Sequence, residues 1–199
     1  MPSPLTGGHR CSSSRPRARG FQILRNVGIG EEEGCEAYVR FDNVRVPEGA
    51  ILGGRCMAFV IGQTRLGGGR ANHAMRTVGA GQRALDRMCQ RAVSRNTCDG
   101  KLADYQIAKE QIADSWIQLE QLRLLVEHTA RLIDKYKAYN KYKAYNKAGK
   151  HFAAIKVAMP EVYHDIAAKA LHIHCALGVS NATPFMRMAR PWRWASPTA

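Results

Sequence analysis

The sequence predicts an all-α protein in which a short β segment precedes an antiparallel, up-and-down bundle of three long helices. Three observations lead to this fold class. Apolar residues recur at every third or fourth position over three long stretches after residue 58, which is typical of amphipathic helices. Short runs of turn residues separate these stretches, so neighbouring helices should lie antiparallel. The 199 residues, 45% of them hydrophobic, are enough for one domain with its own core.

Residues 1–20 predict a disordered basic leader. They are rich in arginine, serine, glycine and proline and contain no acidic residue. This composition overlaps with that of mitochondrial transit peptides, but the prolines and glycines oppose the amphipathic helix that such a signal needs. We therefore prefer the interpretation of a leader without a targeting role.

Residues 21–55 predict β structure. Apolar and polar residues alternate from position 37 to 41 and the run ends at Pro47, which indicates one or two short strands and a turn. Nothing before residue 21 has a pattern that could supply a sheet, so we expect an orphan edge with poor stabilisation.

The first two helices are predicted from residue 59 onward. The first ends near Arg95, and residues 96–100 form the break after it. Its apolar stripe consists of Met75, Val78, Leu85, Met88 and Ala92. The stripe of the second helix consists of Ile112, Trp116, Leu119, Leu122, Val126, Ala130 and Ile133.

A third helix has the same spacing. Its stripe consists of Phe152, Ile155, Met159, Val162, Ile166, Ala170 and Ile173. Pro160 lies within this stretch, and a proline inside a helix removes a hydrogen bond and predicts a kink. Residues 188–199 contain prolines without helical periodicity and predict an irregular tail.

A hexapeptide, K-Y-K-A-Y-N, occurs twice in succession at residues 135–146. A single duplication of this length predicts a longer loop or an extended helix end, because a solenoid needs longer units. Alternating lysine and tyrosine side chains could stack on single-stranded bases, but a solvated loop is the simpler interpretation.

Composition bears on the classes of partner. The net charge is +14, and the first thirty residues contain five arginines and no acid. Nucleotide cofactors and CoA are also anions, so a positive charge alone does not indicate a nucleic-acid partner, and we predict none. No apolar run reaches the roughly twenty residues that span a bilayer. The six cysteines are scattered without zinc-site spacing, which indicates reduced intracellular thiols and no metal site.

Two motifs identify a family resemblance. The chain reads R-F-D-N-V-R-V-P at residues 40–47 and R-L-G-G-G-R at residues 65–70. In this order the motifs resemble acyl-CoA dehydrogenases, where the first is the last strand of the β-domain and the second opens the C-terminal helical bundle. The resemblance extends to about Arg187. It implies a β-domain remnant at 21–55 and a C-terminal helical domain at 56–187, with the family's fourth helix missing or incomplete.

The resemblance implies FAD-dependent α,β-dehydrogenation of an acyl-CoA in fatty-acid β-oxidation, in the manner of the larger long-chain or branched-chain members. It also implies a mitochondrial location, with the peroxisome as the alternative. The family's base is a glutamate, either at the position of Gly69 or beyond the third helix, where the resemblance has ended. We therefore predict no catalytic residue and a fragment that is inactive alone.

The resemblance also implies a cofactor site. The family's R-x-x-F-G turn, which reaches the FAD diphosphate of a neighbouring subunit, matches residues 95–99, so Arg95 and Cys98 are candidates. The family's glycine-rich Q-x-x-G-G-x-G segment matches residues 172–178, where His172, Cys175 and Ala176 replace the glutamine and two glycines. Arg70 is the candidate for binding acyl-CoA. Alternatively, Arg95 is only a solvated charge at the C-terminus of a helix.

Two other functions remain open. The incomplete bundle is a candidate for a non-catalytic module that forms a homo-oligomer or docks on a full-length dehydrogenase, because family members assemble through this bundle. Nucleic-acid binding, which rests on the charge and the lysine-tyrosine repeat, is the more distant alternative.

Overall fold

The computed structural model describes residues 19–29, 32–137 and 148–189. The chain divides into two compact units, residues 1–65 and 66–199. The strands and long helices are β1 (Phe21–Ile29), β2 (Glu32–Phe41), α1 (Ala58–Ser94), β3 (Asn96–Thr97), β4 (Gly100–Lys101), α2 (Gln106–Lys137) and α3 (Gly149–His174). Two short helices follow, α4 (Ala176–Val179) and α5 (Phe185–Ala189).

The first unit contains an antiparallel hairpin of β1 and β2. Phe21 lies opposite Phe41, with the ring centroids 5.2 Å apart, and Ile23 lies opposite Val39. The predicted strands are therefore present, and the partner of the second is the segment directly before it. Ile23 and Phe41 are 61% and 59% exposed, so the apolar face of this two-stranded sheet contributes little burial.

Helix α1 ends at Ser94, close to the predicted end. Its buried stripe is Ala74, Val78, Leu85, Met88 and Ala92. We predicted Met75 in this stripe. This prediction is wrong, because the Met75 side chain is 41% exposed. Ala74 precedes Val78 by four residues and so lies on the stripe, whereas Met75 is rotated by about 100° from it.

Helix α2 also departs from the predicted stripe. Trp116 is 55% exposed and Ala130 is exposed, while their neighbours Ser115 and Thr129 are fully buried. The Ser115 hydroxyl donates to the carbonyl of Gln111 at 2.7 Å, and the Thr129 hydroxyl donates to the carbonyl of Leu125 at 2.8 Å. Because these hydroxyls are satisfied within their own helix, small polar residues can face the core.

Helix α3 follows its prediction closely. Six of the seven predicted stripe residues are buried, and Val162 is partly buried against the same core. The helix continues on both sides of Pro160, which is itself buried.

The direction of each helix follows from its contacts. Lys169 forms an ion pair with Asp114 at 4.0 Å, while the rings of His128 and His151 lie 5.2 Å apart, so α2 and α3 are antiparallel. The short β3–β4 hairpin likewise reverses the chain between α1 and α2. Helices α1 and α3 therefore run in the same direction. The predicted all-α up-and-down bundle after a short β segment is confirmed.

Several predictions fall outside the described residues. These are residues 1–18 of the leader predicted at 1–20, most of the duplicated hexapeptide, and the tail from residue 190. The first three residues of the duplication, 135–137, lie within α2, and the first two of the predicted tail, 188–189, lie within α5. No described helix combines the length and the apolar composition that a membrane span requires.

Candidate functional site

The two predicted cofactor segments lie at the same end of the bundle. Helices α1 and α3 run in the same direction, and they meet at Gly81, where a Cβ atom would lie 3.7 Å from the Ile166 side chain. Further along α1, Arg87 lines a cleft with Pro184 and Met188, which follow α3. Arg95 follows Arg91 by about one turn, or about 6 Å. The residues that this end holds are Arg95 and Cys98 from the first segment and His172, Cys175 and Ala176 from the second.

Arg95 has a fixed backbone. Its amide donates to the carbonyl of Arg91 at 3.0 Å, which closes the last turn of α1, and its own carbonyl accepts from the amide of Leu102 at 2.9 Å. The side chain is exposed. Arg95 therefore presents a guanidinium to solvent from a well-held position at the helix end.

A small hydrogen-bond network supports the turn after Arg95. The Thr97 hydroxyl donates to the carbonyl of Gly100 at 2.8 Å and lies 2.9 Å from the Tyr105 hydroxyl, which can donate to it. The amide of Lys101 donates to the Asp104 carboxylate at 2.9 Å. Gly100 has a φ of +139°, which favours glycine. These contacts hold β3 and β4 in one register.

The tip of this hairpin is formed by Cys98 and Asp99. Thr97 pairs with Gly100, so Cys98 and Asp99 form the connecting turn. Both Cys98 and Asp99 are exposed. Asp99 places a carboxylate near Arg95 in sequence, yet Arg95 forms no ion pair with any residue that the structure describes. Arg95 and the hairpin thus present the cations of Arg95 and Lys101 and the carboxylate of Asp99 at the surface.

The second segment turns sharply at Cys175. This residue has φ +52° and ψ −133°, a combination that L-amino acids other than glycine rarely adopt. Its position is one of the two where the family pattern has glycine, which gives the physical reason for that glycine. Cys175 and the next residue, Ala176, are exposed, as is His172.

Gly178 is the glycine that this segment retains. A Cβ atom at this position would collide with the backbone of Leu171, mainly its carbonyl oxygen. The Gly178 amide donates to the carbonyl of Cys175 at 2.8 Å. The turn therefore packs directly on α3, and any side chain at residue 178 would separate the two.

His174 is part of the core at this end. It is 7% exposed, its Nδ1 donates to the carbonyl of Ala170 at 2.8 Å, and its ring lies 4.5 Å from that of Phe185. Burial lowers the pKa of His174, the Ala170 hydrogen bond raises it, and the charges of Arg91 and Arg87 lower it further. The pKa is lowered overall, so the neutral ring is favoured. Among the described residues, no three acidic, histidine or cysteine side chains form a group that could hold a metal ion.

Arg70 lies far from the other candidates. It is half-buried on α1, 25 residues before Arg95. At 1.5 Å per residue this separation is about 37 Å along the helix. A ligand that contacts both residues would have to extend along most of the bundle.

Sequence reasoning missed a row of arginines that leads to Arg95. Arg83, Arg87 and Arg91 precede it at intervals of four residues. This spacing places neighbouring guanidinium groups on one side of the helix, about 6 Å apart along the axis. The Nε of Arg91 is buried without a hydrogen-bond partner among the described residues. The interval of four was visible in the sequence and was the available signal.

Among the candidates from the sequence, Arg95 is the group at this end that is suited to a diphosphate. The Arg95 guanidinium offers several donors in a planar fork, and charge-assisted hydrogen bonds to phosphate oxygens are strong. The exposed side chains of Cys175 and Ala176 occupy a segment where bare backbone would let a cofactor approach more closely. The site therefore fits the diphosphate of FAD through Arg95 and fits it less closely along residues 175–176.

Comparisons with known proteins agree on one family. Residues 59–198 match the family model described as acyl-CoA dehydrogenase, C-terminal domain. The chain is 39% identical over 168 residues to acyl-CoA dehydrogenase family member 11 of Rattus norvegicus, a match that covers 84% of this chain and 20% of the relative. The chain thus spans about a fifth of the length of that relative.

Solved structures share the fold. Butyryl-CoA dehydrogenase from Megasphaera elsdenii superposes with a TM-score of 0.81 at 22% identity, covering 94% of this chain and 47% of that one. An acyl-CoA dehydrogenase complexed with FAD from Bacillus anthracis superposes with a TM-score of 0.80 at 18% identity, covering 90% and 33%. At these identities the two structures show a common fold.

Proposed function

The chain belongs to the acyl-CoA dehydrogenase family, and on that premise we propose that it supplies the C-terminal helical domain of an FAD-dependent enzyme that oxidises an acyl-CoA between Cα and Cβ. The resemblance seen in the sequence is confirmed for this domain. The proposal extends it to this chain's own cofactor and substrate.

One observation carries the proposal. The bundle brings Arg95 with the hairpin after it and residues 172–178, which are far apart in sequence, to the same end of two parallel helices. These are the two segments that the family resemblance assigns to FAD. Arg95 would bind the diphosphate through its guanidinium, while Cys98, His172, Cys175 and Ala176 would line the approach.

Arg70 would contact the acyl-CoA. It lies near the glycines at 68 and 69, whose lack of side chains permits a close approach, and its charge suits an anionic ligand. Its distance from Arg95 along α1 is consistent with two ligands rather than one.

We propose that the isolated chain is catalytically silent. The dehydrogenation needs a base at Cα, and bound FAD supplies the hydride acceptor. Gly69 stands at one of the family's two base positions, and residues 166–199 contain no aspartate or glutamate. A turnover rate with acyl-CoA and an electron acceptor above that of a no-protein control would overturn this part of the proposal.

A titration of the purified chain with FAD tests the cofactor assignment. Saturable quenching of flavin fluorescence is expected. Arg95→Gln should weaken binding about tenfold or more, since it removes charge-assisted hydrogen bonds. Arg131→Gln is the matched control, because Arg131 is an exposed arginine on α2 that pairs with Glu127 at 3.7 Å. Equal losses in both variants, or no binding by the native chain, would contradict the assignment.

A second function is favoured by the outer face of α2. Trp116, Ile117 and Leu124 are 55%, 46% and 63% exposed, and large apolar side chains grouped on one helix mark association surfaces. The chain would then act as a module that forms homo-oligomers or docks on full-length dehydrogenase subunits. Light scattering that shows a monodisperse monomer, together with no co-purification with such a subunit, would exclude this function.

The cell location is also a proposal. Fatty-acid β-oxidation suggests the mitochondrion, with the peroxisome as the alternative. Fluorescence imaging of the tagged chain against markers of both organelles distinguishes them.

A further inference from the structure

A small cleft lies between α1 and α5, apart from the proposed flavin segments. Its volume is about 130 Å³. The described residues that line it are Ala80, Arg83, Arg87, Pro184 and Met188. The lining has a charged part and an apolar part. Both arginines come from α1, whereas the apolar part combines Ala80 of α1 with Met188 of α5 and Pro184, the residue before α5.

The charged part of the lining lacks an acidic partner. Arg83 and Arg87 lie one helical turn apart, a spacing at which like charges repel. Neither forms an ion pair with any residue that the structure describes. The acid nearest in sequence, Asp86, accepts a hydrogen bond from the Gln82 side chain at 2.9 Å. An oxyanion between the two guanidinium groups would remove their repulsion and gain charge-assisted hydrogen bonds.

The apolar part of the lining sets the size and character of the rest of the ligand. Ala80, Pro184 and Met188 offer mainly carbon atoms, and Met188 is partly buried against the core. A cavity of roughly 150 Å³ accommodates benzene, so about 130 Å³ suits a six-carbon group or slightly less. A ligand that carried only charge would leave this apolar part in contact with water.

We propose that this cleft is a binding site for a small carboxylate that carries an apolar group of roughly six carbons. The carboxylate lies between Arg83 and Arg87, and the apolar group packs on Ala80 and Met188. This site is separate from the flavin segments and does not depend on FAD. It goes beyond the proposed function, because the dehydrogenation itself needs no free carboxylate.

Calorimetric titration of the full chain tests the proposal, with benzoate as the probe. Benzyl alcohol keeps the apolar group without the charge, and inorganic phosphate keeps an anion without the apolar group. Benzoate should bind saturably at one site, and both comparison ligands should bind about tenfold more weakly or worse, since each loses one of the two contributions. The titration is repeated with saturating FAD, which should leave benzoate binding unchanged.

Four variants separate the cleft from general attraction by charge. Arg83→Gln and Arg87→Gln should each weaken benzoate binding about tenfold, and Arg83 is exposed, so its variant should fold normally. Ala80→Leu should abolish binding by filling the cleft while leaving every charge in place. Arg131→Gln on α2 makes the same change of charge outside the cleft and should have no effect. Thermal unfolding confirms that each variant is folded.

Three results would overturn the proposal. Phosphate that binds as tightly as benzoate, with Ala80→Leu unchanged, would show attraction by charge alone. Benzyl alcohol that binds as tightly as benzoate would show an apolar pocket without anion recognition. Absence of saturable benzoate binding by the folded native chain would show that the cleft has no such ligand. A failed FAD titration would leave the proposal intact, because the two sites share no residue.

Discussion

Replacing Cys175 by glycine should stabilise the protein. Cys175 is the first residue after α3 and has a φ of +52° and a ψ of −133°. This backbone conformation is strained for a residue with a Cβ atom but not for glycine. The thiol side chain is exposed, so its removal sacrifices little buried surface. The substitution therefore relieves backbone strain and changes few contacts.

The size of the effect is a difference between two terms. Strain at a non-glycine residue in such a conformation costs about 1–3 kcal/mol. Glycine loses more backbone entropy on folding, which offsets about 0.5–1 kcal/mol of that gain. The net stabilisation is then about 1 kcal/mol, which raises the melting temperature by about 2–4 °C for a domain of this size.

Urea unfolding monitored by circular dichroism measures this change, with Cys98→Gly as the matched control. Cys98 is also an exposed cysteine in a turn, but its φ is not positive, so glycine should leave stability unchanged or lower it by up to about 1 kcal/mol. If Cys175→Gly were no more stable than the native chain, or if both variants changed alike, the strain argument would be wrong.

Three further outcomes are expected at the same end of the bundle. The pKa of His174 is lowered in the folded state, so the stabilisation by its neutral ring is complete above the ordinary histidine pKa of about 6.5 and is lost as the pH falls through the folded-state pKa. His174→Gln should therefore reduce the fall in melting temperature between pH 7 and pH 5. Gly178→Ala should lower the free energy of unfolding by about 1–3 kcal/mol, measured by urea midpoint, because its Cβ would displace the Leu171 backbone; an unchanged midpoint would contradict the packing. Phe185→Ala should cost about 3 kcal/mol or more by the same assay, since the ring is fully buried against His174, and a loss below about 1 kcal/mol would show that α5 is not part of the core.

Periodicity predicted the helices because burial imposes it. The stripe of α3 followed from spacing, and the end of α1 followed from the turn residues at 96–100, where the β3–β4 hairpin lies. The prediction of buried positions was wrong where an exposed apolar residue lay next to the residue that is in fact buried. Trp116 was chosen over Ser115 because hydropathy does not include the backbone hydrogen bond that lets a buried serine satisfy its hydroxyl.

The site was predicted less completely than the fold. Arg95 and residues 172–178 came from the family resemblance, but only the directions of α1 and α3 place them at one end. The positive φ of Cys175 has no signal in periodicity, because the residue type gives no indication of a left-handed turn. The arginine row from Arg83 to Arg91 was visible in the sequence, but the cleft beside it depends on α5, which is too short to predict.

The most direct test of the central claim is an FAD titration of a variant that restores both family glycines, Cys175→Gly with Ala176→Gly. If this end of the bundle binds the cofactor, removing the two side chains should tighten FAD binding several-fold by admitting a closer backbone approach. Adding Arg95→Gln should reverse the gain. FAD affinity that is the same in the native chain and the double variant, or that is indifferent to Arg95, would contradict the assignment of this site.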